Sequence, residues 1–274
     1  MNPGFPHFNF EIMSKEAERQ AKLMRTKVFH HMLETRGSKY RVFLRYLRFF
    51  KYAAFAPTRG EFLESYYVLM RYLDDVVDGD AALPAGYSAE SGYLIDKITF
   101  STHPEDPKDE VDFLMKHCFD LAEKMGKDFQ SETKDILESL LFDARRRGKW
   151  ILFPEEELNW HFHLLDIRGT IRATLKIFND DPDKYLILEP LGKACRYQYD
   201  IEDFDADLAA GYVNVSKEGC EQFGIEQEEL KNSLSPNVRR WLEHHAKDGL
   251  ALLTEHRRVM PKGKFSLFET LVAW

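Results

Sequence analysis

The sequence predicts an all-α protein, a single domain over 1–274 built from about ten helices. Three observations predict it. Apolar residues recur every three or four positions over long stretches, while the strict alternation of a strand is scarce. Helix-start residues stand in front of several of those stretches. No polar, Gly- or Pro-rich linker is long enough to divide the chain. The 274 residues, 44% apolar and 31% charged, can bury a substantial core and do not have the composition of a disordered chain.

The first helix is expected over about 10–34, with Ile12, Ala17, Ala21, Met24 and Val28 on one side. A second covers about 39–55. Thr58 and Glu61 have capping-box spacing and introduce a third, which Gly79 and the loop A-L-P-A-G-Y-S close. Further helices fit 88–99, 109–126, 131–146 and 155–178, with Pro154 in the first turn of the last. The next, about 183–210, is mostly apolar before an acidic end. Ser216 reads as the N-cap of a short helix. Ser235-Pro236 opens another that runs to about 258, where P-K-G-K breaks it. The apolar tail S-L-F-E-T-L-V-A-W is too short to span a bilayer and is expected to dock as a terminal helix.

Composition excludes several classes. With 38 basic and 46 acidic residues the formal charge is −8, so no nucleic-acid partner is expected. Cys118, Cys195 and Cys220 are odd in number and widely spaced, which makes neither a disulfide framework nor a CxxC metal pair. The opening residues lack a secretory pattern and no run of about 18 apolar residues occurs. A reducing, cytoplasmic setting is expected.

Two acidic clusters stand out. In R-Y-L-D-D-V-V-D-G-D, Asp74 and Asp78 are four apart and share a helix face, with Asp75 beside it. In Y-D-I-E-D-F-D-A-D, Asp200, Asp203 and Asp207 form a second stripe. Carboxylates repel at this spacing, and each stripe lies near a helix C-terminus that already carries partial negative charge. Such stripes are either solvated helix ends or oxygen ligands for a cation, and a hard, partly hydrated ion such as Mg²⁺ suits them. Arg71, one turn before Asp74, is a candidate diphosphate contact. Arg168 and Arg172, four apart with Gly169 between them, either clamp phosphate oxygens or pair with acids structurally. Arg145-Arg146-Arg147 reads as a solvated helix end, and His161 and His163 as surface or capping residues. Phe49, Phe50, Phe55, Tyr66, Tyr67, Trp160, Phe162 and Phe178 are candidates either for a cavity lining or for plain core.

In order, the segments Y-Y-V-L-M-R-Y-L-D-D-V-V-D, L-L-F-D-A-R, F-P-E-E-E-L-N-W-H-F-H-L-L-D-I-R-G-T-I and D-F-D-A-D-L-A-A-G-Y-V-N-V resemble the squalene/phytoene synthase family of isoprenoid synthases. The resemblance covers about 49–223. It implies an all-α isoprenoid synthase fold with a central cavity. It also implies Mg²⁺ held by Asp74, Asp78, Asp203 and Asp207, and prenyl diphosphates as substrates. Family members ionise one farnesyl or geranylgeranyl diphosphate and join it head to head with a second. Squalene synthases then reduce the intermediate with NADPH; nothing in these residues calls for NADPH. Tyr67 and Arg71 match the family's tyrosine and arginine near the first motif.

The departures are specific. Tyr199 and Glu202 stand where the family carries N-x-x-R-D before the second motif, and Arg196 stands at its glutamine. Tyr212-Val213-Asn214 replaces R-x-Y. Arg168 and Arg172 replace small residues. The family's Ser-Lys-Ser segment falls by register at Tyr46-Leu47-Arg48. Asp200 is an additional acid one turn earlier, which makes the second cluster D-x-x-D-x-x-x-D and gives it one more candidate ligand. A synthase that cyclises a single prenyl diphosphate, or a non-catalytic binding or assembly protein of the same fold, are the alternatives. Oily products would allow peripheral membrane contact, but no amphipathic basic helix is read as demanding it. Chain length of the prenyl group and oligomeric state are not encoded in any motif.

Overall fold

The structure, a computed structural model, describes residues 5–35, 37–53, 57–266 and 270. The Phe50 ring, Phe55 and most of the apolar tail lie outside the described residues. No strand occurs among the described residues. The chain forms two compact units, Met1–Lys134 and Asp135–Trp274.

The first unit holds α1 (Phe5–Thr35), α2 (Gly37–Ala53), α3 (Pro57–Asp78), α4 (Glu90–Thr102), α5 (Glu110–Lys124) and the start of α6 (Gln130–Arg146). Ala17, Ala21, Met24, Val28 and Met32 are buried along one stripe of α1, which packs on α3 and α5. Each large apolar side chain so buried contributes about 1.5–3 kcal/mol. Ile12, expected on that stripe, is instead exposed. The rings of Phe62, Tyr66 and Phe129 meet at 4.3–5.9 Å between centroids, so Tyr66 is core. Its hydroxyl lies 3.2 Å from Thr133 Oγ1. Thr58 sits inside the first turn of α3 rather than before it, and Glu61 turns to Arg25 at 2.9 Å, so the expected capping box is not made. Asp109 does cap α5, accepting from the N–H groups of Val111 and Asp112. Gly79, at φ 78°, ends α3 where the sequence places the stop.

The second unit continues α6 and adds α7 (Glu155–Phe162), a π-helix (His163–Ile171), α8 (Arg172–Ile177), α9 (Tyr185–Glu202), α10 (Phe204–Ala209), α11 (Lys217–Phe223) and α12 (Pro236–Val259). The single helix expected over 155–178 is thus one continuous run with a wide π turn in its middle. The π turn packs on α9 at Gly192, where a Cβ would lie 2.2 Å from Ile167 Cδ1. Gly169 is equally crowded, 2.3 Å from Ile136 Cγ1, so the glycine does permit the close approach. Ser216 caps α11 by accepting from Gly219 N at 2.9 Å. The helix expected over 183–210 breaks at Asp203 into α9 and α10. Below the break, Phe204, Leu208, Val213, Val215, Leu230, Val238 and Trp241 form a buried cluster. This cluster holds the acidic stripe of the second unit against α12.

Candidate functional site

In the first unit, Arg71 bridges two members of the first motif. Its Nη1 donates to Asp74 Oδ2 at 2.7 Å and its Nη2 donates to Asp75 Oδ1. Asp75 is buried, whereas Asp74 keeps a solvent-facing side. The two adjacent acids therefore differ: Asp75 anchors the arginine and Asp74 remains reachable. Burial works against the Arg71 charge, but Asp74 and Asp75 outweigh it and hold the guanidinium protonated. Tyr67 packs on Phe43 at 4.8 Å, and burial pushes its phenol above the ordinary range. Asp78 closes the stripe, half-buried at the last turn of α3.

In the second unit the acids are held by a buried network that starts on α6. Arg146 is only 5% exposed, not solvated as the basic run suggests. Its Nε donates to Asp143 at 2.7 Å, and its Nη1 donates to the Val213 carbonyl at 3.2 Å and to Asn214 Oδ1 at 2.8 Å. Its guanidinium lies 5.0 Å over the ring of Tyr212, which is buried. Burial alone would raise the Asp143 carboxyl; His161 and Arg146 overcome that and hold it below the usual range. His161 is buried as well, stacked on Phe142 at 4.6 Å, with Nδ1 2.8 Å from Ser139 Oγ. It is a core residue, not a surface one.

Asn214 is the pivot. An arginine can only donate, so the amide oxygen must face Arg146 and the amide N–H groups must face the acids. Its Nδ2 donates to Asp207 Oδ2 at 2.9 Å and to Asp200 Oδ1 at 3.3 Å. Asp200 is buried and also accepts from His245 Nε2 at 3.2 Å. The His245 ring is sandwiched between Tyr197 at 3.8 Å and Trp241 at 4.5 Å. Asp203, at the helix break, is exposed. Burial first, then repulsion from Asp200 and Asp203, pushes the Asp207 carboxyl up to about 7.

Arg196 joins this group. Its Nε donates to Asp166 on the π turn at 3.1 Å, its Nη1 lies 3.7 Å from Asp200, and its guanidinium sits 4.3 Å over Phe162. A cavity of about 280 Å³ opens beside them, with Phe162, Arg196, Tyr197, Asp200, Asn214 and Trp241 among its walls. Arg168 and Arg172 do not join it. Arg168 Nε lies 3.0 Å from Asp135 on α6, and Arg172 Nη2 lies 3.7 Å from Asp183, so the two diverge to different acids. Of the aromatic candidates, Phe162 lines the cavity, Phe178 is core, and Phe49 and Trp160 are exposed.

Asp143 lies in L-L-F-D-A-R and Asn214 in the segment that replaces R-x-Y, but neither takes a role from sequence; Arg146 and His161 read there as solvated or surface residues, and His245 is not singled out. For α6 the signal is present: Ile136, Leu140, Asp143 and Arg146 follow one another at steps of four, three and three residues, with Ser139 beside Leu140, which puts them on one inward-facing stripe. For Asn214 the only signal is its place in the segment that stands at the family's R-x-Y, and nothing in the sequence points to His245.

The donor chemistry suits a hydrated divalent ion better than a bare protein cage. Among the described residues, no group of three or more His, Cys, Asp or Glu is arranged to hold a metal ion by itself. Mg²⁺ typically takes one or two carboxylates, keeps waters and is completed by substrate phosphates. The crowded Asp207 and the exposed Asp203 offer that kind of partial shell.

No protein-family model matches the chain, and no curated protein matches it by sequence. Solved structures do share its fold. A dehydrosqualene synthase, solved with a ligand, superposes with a TM-score of 0.62 at 18% identity, over 91% of this chain and 80% of the other. A squalene synthase from Alicyclobacillus acidocaldarius gives 0.62 at 18% identity, over 89% and 84%. The chain has the all-α fold of these isoprenoid synthases.

Proposed function

We propose that the protein is a Mg²⁺-dependent synthase that ionises an allylic prenyl diphosphate and joins two prenyl chains head to head. The observation that carries this reading is the crowding of Asp207 by Asp200 and Asp203, on a fold shared with squalene and dehydrosqualene synthases. A carboxyl held near 7 by burial and by its acidic neighbours is a position that gains from a cation.

Asp74 and Asp78 would hold an ion in the first unit; in the second, Asp203 and Asp207 would do so, with Asp200 as an added acid. Bound there, Mg²⁺ supplies Lewis-acid stabilisation of the departing diphosphate. Arg71, fixed by Asp74 and Asp75, adds a permanent positive charge to the first motif. Arg196, fixed by Asp166, does the same beside the second. Arg146 and Asn214 orient Asp207 and Asp200 so that their oxygens do not have to reorganise during reaction. Aromatic faces such as Phe162 keep water away and are compatible with a cationic carbon.

The test is to incubate the protein with geranyl, farnesyl or geranylgeranyl diphosphate, with and without Mg²⁺ and NADPH, and to identify the products. A linear C30 or C40 hydrocarbon supports condensation. A C10 to C20 olefin or alcohol assigns the single-substrate chemistry instead. Absence of Mg²⁺-dependent diphosphate release with every chain length removes both readings and leaves the binding or assembly role.

A further inference from the structure

Helix α2 has a composition unlike the rest of the chain. Its 17 residues carry Lys39, Arg41, Arg45, Arg48 and Lys51 and no acid, in a protein whose formal charge is −8. Its inner face is ordinary: Leu44 and Leu47 are buried, and Lys51 pairs with Glu64 at 2.7 Å. The outer face combines cations with large apolar groups. Tyr46 is 61%, Phe49 57% and Tyr52 76% exposed, with Val42 also exposed. Arg41, Arg45 and Arg48 are exposed beside them.

At about 100° per residue these side chains sort into two adjoining strips. Arg48, Arg41, Tyr52 and Arg45 occupy roughly 60° of the helix, and Phe49, Val42 and Tyr46 the roughly 60° after a short gap. An apolar strip edged by arginines is the arrangement of a helix that lies in a bilayer interface, with aromatic rings at the headgroup level and guanidinium groups on lipid phosphates. Sequence reading finds no such helix because Leu44 and Leu47 give α2 a core-like period. The geometry points to α2 as a docking surface for an anionic membrane. Charge selects the partner: two copies meeting through this same face would set arginines against arginines, whereas an anionic lipid surface neutralises them. This inference does not depend on the proposed enzymatic reaction.

The experiment is co-sedimentation of the whole protein with vesicles of equal parts phosphatidylglycerol and phosphatidylcholine, against pure phosphatidylcholine. Binding to the anionic vesicles only, weakened by salt, is expected. Replacing Arg45→Gln with Arg48→Gln is expected to lower partitioning about thirtyfold, from about one kcal/mol per basic residue. The separate variant Tyr52→Ser, on a side chain mostly in solvent, is expected to lower it while the circular dichroism stays native. Equal binding of the arginine variant and the parent overturns the proposal. So does equal binding to neutral vesicles, or release from anionic vesicles by micromolar inorganic pyrophosphate at constant ionic strength, which would assign the arginines to a diphosphate. Concentration-dependent dimerisation lost on Tyr52→Ser, without vesicle binding, overturns it in favour of a self-association surface.

Discussion

Replacing Asp207 by Asn removes a carboxyl that the folded protein holds at a disadvantage. The ordinary value for this group is 3.8 and the fold raises it to about 7, first by burial and then by Asp200 and Asp203. Between those values the native state keeps a proton that the unfolded chain has lost, so native stability falls as pH rises through the window and is flat above it. The window spans roughly three pH units, and at about 1.4 kcal/mol per unit the full effect is about 4 kcal/mol. About two of those units lie between pH 5 and pH 7, so close to 3 kcal/mol separates pH 5 from pH 8. The asparagine still accepts from Asn214, so the hydrogen bond now made at 2.9 Å is retained. In urea unfolding with chelator present, Asp207→Asn is expected to be more stable than the parent at pH 8, and its advantage is expected to shrink by about 3 kcal/mol on going to pH 5. Mg²⁺ with inorganic pyrophosphate is expected to stabilise the parent and narrow the gap at pH 8. Parallel stability curves for the two proteins would refute the reasoning, because they would mean Asp207 titrates alike in both states.

Three other outcomes follow from the same geometry. Asp74→Asn and Asp203→Asn should each remove Mg²⁺-dependent turnover while the unfolding midpoint stays near that of the parent; unchanged turnover in both contradicts the metal assignment. Arg146→Met leaves Asp143 buried without its guanidinium and strips Asn214 Oδ1 of its donor, so a loss of about 3–5 kcal/mol is expected in urea unfolding. A loss below about 1 kcal/mol would mean that His161 alone satisfies Asp143. Gly169→Ala places a methyl 2.3 Å from Ile136 Cγ1 and 2.8 Å from the Leu164 carbonyl, and should cost about 1–3 kcal/mol, part of which Ile136→Ala recovers.

The helices were legible because their apolar periods are long and their ends are marked. Gly79, Ser216 and Ser235-Pro236 all fall where helices stop or start. The π turn was not legible, because one extra residue in a turn leaves the apolar period of 155–178 nearly intact. Both aspartate motifs were visible as repelling acids. What orients them was not. Arg146 sits in a run of three arginines and looks solvated until α6 is seen to bury its side, and Asn214 reaches Asp200 across an irregular loop that no period describes. Arg168 and Arg172 illustrate the converse: equal spacing on one helix did not make equal partners, since the acids that receive them lie on α6 and after α8. The basic face of α2 was hidden by counting charge over the whole chain, where −8 masks a local +5.

The loops leaving α6 and α10 are fastened backbone to backbone. Gly148 N donates to the Ala210 carbonyl at 3.0 Å and Trp150 N to the Gly211 carbonyl at 3.2 Å, with Gly211 at φ 82° and so close to Gly148 that a Cβ would lie 2.4 Å from its Cα. The exit of the second aspartate motif is therefore pinned by its own backbone before any ligand arrives. Ordering this stretch is charged to folding rather than to association, so a ligand meeting the acids here should bind without the slow step of a closing loop. In hydrogen exchange, the Gly148 and Trp150 amides should be as protected as helix amides although neither lies in a helix.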